Sequence, residues 1–292
     1  MEMSPSPHSS SDSERCDSST AGLSIYQIAR RNCRERLLVQ PLHWTKRHLD
    51  LLQCSFEEPS QAELPVWRSD FTGDRNGAKH IKRLLYYFIK YSHRENDMAG
   101  VLADSDCPFD SRKNLRLYLN RAVVKTLTCK CFFLRSDFDP KTRITGPAMV
   151  ALIDRQHIEQ LRRDTLPGQS DHRWNQPLHD LFNIRWKKLS PAQPLHDPYI
   201  CALLIAMAQQ RRIWLRRSRR EEAASMTQFS SQVLCTSKDK EHMHLYTADI
   251  PSVLLDMFDF PAVSPSERPS VSIQITTIPY KPGTSLRNRL FP

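Results

Sequence analysis

His242 and His244 flank Met243 and are followed by Leu245 and Tyr246. A strand over these residues puts both imidazoles on one face, with Tyr246 close behind. Zinc held by such a pair needs a third ligand, and Asp239, Glu241 and Asp249 stand nearest in the chain. A polar outer face of a sheet gives the same alternation without any metal. Cys129 and Cys131 share the two-residue spacing. It would suit a metal or a redox pair, but cysteine is also an ordinary small core residue. A third constellation, Asp137 followed by the acidic-x-Lys triplet Asp139-Pro140-Lys141, sets two carboxylates and a lysine close together in the chain. Pro140 argues for a loop there rather than a central strand.

The densest charge lies in QQRRIWLRRSRREE, which carries Arg211, Arg212, Arg216, Arg217, Arg219 and Arg220. On a helix continued at about 100° per residue, Ile200, Leu204, Met207, Trp214 and Leu215 form one stripe, and Arg212, Arg216, Arg219 and Arg220 share an opposite arc. Arg211 lands inside the apolar stripe, so the helix either breaks near Gln210 or lets that side chain reach out to water. The cluster could contact phosphates, present an import signal or form a solvated face. A second concentration comprises Arg30, Arg31, Arg34, Arg36, Lys46 and Arg47. With 42 Lys and Arg against 32 Asp and Glu, the chain carries +10. That excess favours an acidic partner: nucleic acid, anionic lipid or an acidic protein surface.

Only seven glycines occur in 292 residues, and G-x-S-x-G, G-x-x-x-x-G-K and G-x-G-x-x-G are all missing. This weighs against the common nucleotide-binding and hydrolase classes, which need glycine where the backbone turns sharply or meets a phosphate. No catalytic residue and no cofactor is assigned. The eight cysteines are scattered, none in C-x-x-C spacing, and are expected to be reduced thiols. Residues 1–22 are rich in Ser and Pro and nearly lack large apolar side chains, so they are expected to be a disordered tail. They contain no secretory signal, and the longest apolar run, Tyr199 to Ala208, is far short of the roughly 20 residues that span a bilayer. The expectation is an intracellular protein, cytoplasmic or nuclear, with no transmembrane segment.

Ser24 and Gln27 have capping-box spacing and start a first helix that should end at Pro41. A short helix from Thr45 to Leu52 follows, then a loop to about Gly77. Ile81, Leu84, Leu85, Phe88 and Ile89 give one amphipathic helix over 78–93. Leu115, Tyr118, Leu119, Ala122 and Val123 suggest another over 112–125, before a possible strand over 127–134. Pro147 with Met149, Val150, Ile153, Ile158 and Leu161 reads as a helix, and a shorter one covers 178–186. Asp197-Pro198 is a strong helix start. Beyond residue 230 the expectation is strands over 233–236 and 243–247, a short helix over 251–258 and a strand over 270–278.

The expected fold is α+β and helix-dominated, with a small β-sheet of order strand-strand-helix-strand in the C-terminal third. The organisation expected is a tail over 1–22, a mainly helical region over 23–190 and an α+β region over 197–292, which could form one compact unit with the helical region. The strings DPYICALLIAMAQ, LYTADIP, LLDMFDFP and VSIQITTIP resemble a group of filamentous-fungal proteins of unknown activity. The element order also resembles part of the core of restriction-endonuclease-like nucleases, in which a helix is followed by three strands, a helix and a strand. That resemblance implies an Asp and an acidic-x-Lys triplet on neighbouring strands, and no triplet lies in the two C-terminal strands. The leading function class is a non-enzymatic binding or interaction module. The alternative is a nucleic-acid-associated protein with a degenerate nuclease-like core, and a metal-dependent enzyme ranks third.

Overall fold

A computed structural model describes residues 22–61, 75–86, 90–103, 109–134, 146–167, 176–239, 241–283 and 286–290. The tail expected over 1–22 falls outside them except for Gly22, as do Asp137, Asp139 and Lys141 and most of the loop before Gly77. The chain begins with α1 (Ile25–Arg31), α2 (Lys46–Leu52), β1 (Cys54–Phe56) and β2 (Ser60–Gln61). Then come α3 (Arg75–Tyr86), α4 (Tyr91–Ala103), β3 (Phe109–Leu119), β4 (Ala122–Leu134) and β5 (Ala148–Asp154). Next are α5 (Arg155–Asp164), α6 (Gln176–Leu189), α7 (Pro198–Ser218) and α8 (Arg220–Ser225). The chain closes with β6 (Gln228–Thr236), β7 (His242–Pro251), α9 (Ser252–Asp259), β8 (Val271–Pro279) and α10 (Leu286–Leu290).

The fold is α+β, built on one mixed eight-stranded sheet of order β1-β8-β7-β6-β5-β4-β3, with β2 also pairing β8. β5 runs parallel to β6, and β1 and β2 run parallel to β8; the other pairs are antiparallel. Because side chains alternate along each strand, the sheet feeds two cores. Cys129, Ile153, Val233 and Tyr246 face α1, α2, α7 and α9. Phe132, Leu152, Leu234 and Met243 face α3, α4 and α10. Asp197 caps α7 by accepting from the Tyr199 amide at 2.9 Å, Pro198 takes the first helical position, and every residue from Pro198 to Gln209 is buried. Tyr199 fastens this helix to the sheet: its hydroxyl accepts from the Thr128 amide at 2.9 Å. α7 does not break at Gln210; Arg211 reaches outward and donates to the Ser230 carbonyl.

The strand-strand-helix-strand order of the C-terminal third is present as β6, β7, α9 and β8. It is not a separate small sheet, since five strands come earlier in the chain. Two helices expected from the sequence are strands. Over 112–125 the chain forms the β3–β4 hairpin, turned by Asn120 and Arg121 at φ 51° and 61°. Positive φ at both turn residues matches the strand twist, and the buried Leu115 and Leu117 obey period two, not the helical spacing. From 148 the chain forms β5, whose apolar residues other than Met149 are covered on both faces because it is a central strand with a parallel partner. α5 starts only at Arg155, capped by Asp154. The capping box at Ser24 and Gln27 forms as expected, but α1 ends at Arg31, well before Pro41. The single helix expected over 78–93 is two, α3 and α4.

Leu204 is fully buried between α7 and the sheet. Leu204→Ala should lower unfolding stability by about 2–5 kcal/mol. The half-exposed Leu38→Ala should cost under about 1 kcal/mol. Urea unfolding of the two variants measures the difference.

Candidate functional site

The last register pair of the parallel strands β5 and β6 joins Asp154 to Thr236. Open sheets with helices on both faces usually bind ligands beyond the C-terminal ends of such strands. Asp154 is fully buried there, and four donors meet its carboxylate. Arg94 of α4 forks onto it, Nε to Oδ2 and Nη2 to Oδ1, both at 2.7 Å. The Gln156 amide donates to Oδ1 at 2.9 Å and the Thr236 hydroxyl to Oδ2 at 2.8 Å. An ionised carboxylate has about four lone-pair sites, so this one is saturated.

Glu95, adjacent to Arg94, accepts from the Asp154 amide and pairs with His157 Nδ1, both at 2.8 Å on Oε1. Tyr91 stacks on the His157 ring at 4.6 Å. Lys130 of β4 completes the cluster by donating to the Glu95 carbonyl and to Asn96 Oδ1. Burial depresses the Lys130 ammonium, partly opposed by the Glu95 charge. The arrangement holds two carboxylates, a lysine and an imidazole within one network. Among the described residues no serine, threonine or cysteine is hydrogen-bonded to His157.

The six arginines of the cluster divide by position. Arg212 is buried, not part of a solvated arc: it holds Asp256 at 2.7 Å, Asp259 at 2.6 Å and the Leu255 carbonyl at 2.9 Å. Burial lowers its pKa, and the Asp259 charge opposes that. Arg216 is half-exposed and touches Asp259 at 3.3 Å. Arg219 pairs with Glu222 and lies over the Trp214 ring, while Arg217 and Arg220 are exposed. Arg212 and Arg216 line a cleft of ≈450 Å³ shared with Arg220, and a second of ≈230 Å³ shared with Arg217 and Arg121.

The histidines also part. His242 Nδ1 lies 3.5 Å from Asp239, and Asp239, Glu241 and His242 place ligand atoms within 4.8 Å of one another on the surface. His244 is not in that group: it is buried, and its Nδ1 has no partner among the described residues. Asp249 lies at the far end of β7, paired with Ser230. Cys129 and Cys131 do share a face, their sulfurs 3.5 Å apart. Their contact and burial push the Cys129 thiol well up, and burial pushes Cys235 up to about 12. Thiols held protonated in this way are poor nucleophiles and poor ligands. Cys54 and Cys201 are likewise buried, Cys33 is exposed, and Cys16 and Cys107 lie outside the described residues.

The chain matches no family model and no curated sequence, and among the described residues no helix is long and apolar enough to cross a membrane. Sequence reasoning missed the Arg94, Glu95, Asp154 and His157 network. Its one local signal was Asp154 standing between an apolar run and an amphipathic helix, as an N-cap does.

Burial and then the Arg155 charge push the His244 imidazole down from 6.5 to about 4. Folded His244 stays neutral through that window while the unfolded chain takes up a proton. Stability is therefore complete above about pH 6.5 and declines as pH falls toward 4. His244→Gln should flatten this decline, measured as urea midpoints compared at about pH 7 and pH 5.

Proposed function

We propose that this protein is a non-enzymatic binding module for nucleic acid, built on a nuclease-like core whose metal position has become an internal ion pair. α4, β3, β4, β5, the helices ending in α7, and β6 follow one another as helix, three strands, helical crossover and strand. That is the element order of a restriction-endonuclease-like core, and it falls over residues 91–236 and not in the C-terminal third. The neighbouring strands β4 and β5 carry Lys130 and Asp154 but no acidic-x-Lys triplet.

One observation carries the reading. The carboxylate at the end of β5 already accepts four hydrogen bonds, two from the Arg94 guanidinium, and has no lone pair left for Mg²⁺. What remains available to a polyanion is surface charge: Arg216, Arg217 and Arg220 at the end of α7, and Lys113, Arg116 and Lys125 exposed on the β3–β4 hairpin. Basic groups of this kind bind phosphates through counterion release without reading sequence.

Fluorescence anisotropy with single- and double-stranded oligonucleotides should show binding that weakens steeply with salt, and the same mixtures with Mg²⁺ or Mn²⁺ should show no cleavage on a denaturing gel. Cleavage abolished by Asp154→Ala or Asp139→Ala would make the protein a nuclease. Failure to bind either strand form at low salt would point to an acidic protein surface instead.

A further inference from the structure

We infer that the cleft between the β3–β4 turn and the last turns of α7 is a seat for a phosphate group. This deepens the nucleic-acid reading above and rests on it for the identity of the polyanion.

The cleft, of ≈230 Å³, is lined by Arg121, Arg212, Arg216 and Arg217 against one carboxylate, Asp259. Asp259 is occupied: it accepts from Arg212 at 2.6 Å and Arg216 at 3.3 Å. Arg217 has no partner among the described residues, and Arg121 has only the Phe260 ring, 4.3 Å below its guanidinium. The uncompensated charge thus comes from two walls that are far apart in sequence. Arginines in the last turn of a helix complement its macrodipole and by themselves need no ligand. That explanation does not extend to Arg121, which comes from a hairpin and holds a positive φ of 61°.

The two walls are fixed to each other. Gln209 of α7 is buried, and its amide bridges to the backbone of Tyr118, accepting at 3.0 Å and donating at 2.9 Å. The Asn120 amide donates to the Phe258 carbonyl at 2.7 Å, tying the turn to α9. A guanidinium stacked on a ring and held by two such anchors keeps its N–H groups aimed without a large entropy loss on binding. A tetrahedral phosphate, with acceptors on every side, is the anion that several guanidiniums converging from two directions can share.

The test compares two charge-matched double variants. Arg121→Asn with Arg217→Gln empties the seat, Asn being suited to the positive φ at 121. Lys79→Gln with Lys82→Gln removes the same charge from the exposed face of α3. Binding of labelled oligothymidylate should fall by about tenfold in the first, with its salt slope reduced by roughly 0.7 for the one lost phosphate contact. The α3 pair should lose much less, and Arg217→Gln alone should show about half the effect. Inorganic pyrophosphate, followed by calorimetry, should bind the wild type and not the seat variant. Equal loss of oligonucleotide binding in both double variants would overturn the seat and leave nucleic-acid binding through diffuse charge. Pyrophosphate binding that needs Arg121 and Arg217, without any oligonucleotide binding, would keep the seat and overturn the nucleic-acid reading. No pyrophosphate binding, or binding unchanged in the seat variant, would overturn the seat itself. Melting of each variant at the wild-type temperature confirms that the comparison is between folded proteins.

Discussion

The constraint on which the rest of this structure depends is the burial of α7. From Pro198 to Gln209 the helix has no solvent face, and a helix apolar all round must be enclosed. The sheet encloses it on one side; the segment 41–43, α2 and α9 pack on it elsewhere. The residues packed in this core come from both ends of the chain, α2 from the N-terminal part and α9 and β8 from the C-terminal part. The burial of α7 also explains why its last turns, where the apolar run ends and arginines begin, emerge at the edge of the molecule beside the β3–β4 turn.

Burial of that size brings charged groups inside as well, and three buried guanidiniums each meet a carboxylate there. Arg162 is enclosed completely and holds Asp197 and the Leu42 carbonyl, linking α5 to the start of α7 and to the segment before α2. Arg94 does the same between α4 and the end of β5. Arg212 does so between α7 and α9. Such pairs add little net stability compared with apolar replacements, but removing one partner leaves a buried charge uncompensated, at roughly 3–5 kcal/mol. Their common geometry is one guanidinium spanning two elements. They join α4 to the end of β5, α5 to the start of α7, and α7 to α9.

The same economy separates the two polar regions that bear on function. At the end of β5 both oxygens of the Asp154 carboxylate are taken up by Arg94, the Gln156 amide and Thr236. At the end of α7 the carboxylates Asp256 and Asp259 are consumed by Arg212 and Arg216, and this leaves neighbouring guanidiniums in excess. The first region is balanced by its hydrogen-bond partners, and the second keeps an excess of positive charge.

The sequence by itself determined what short-range physics controls. Ser24 with Gln27 and Asp197 with Pro198 announced helix starts because capping acts within one turn. The run from Tyr199 to Ala208 announced a buried helix, and the alternation after residue 230 announced strands. Only the tertiary structure decided the rest. Leu115, Tyr118 and Leu119 fit a helical stripe as well as a strand, and pairing with β4 selected the strand, since a hairpin there extends a sheet that α7 needs. Val150 and Ile153 likewise became a central strand because a parallel partner eighty residues away covered their backbone. Arg212 looked like its arginine neighbours until Asp256 and Asp259 of α9 reached it. His242 and His244 looked like a pair until one was enclosed and the other joined Asp239. In each case the deciding atom came from a distant segment, and no local spacing encodes the charge or the hydrogen-bond partner that such a segment brings.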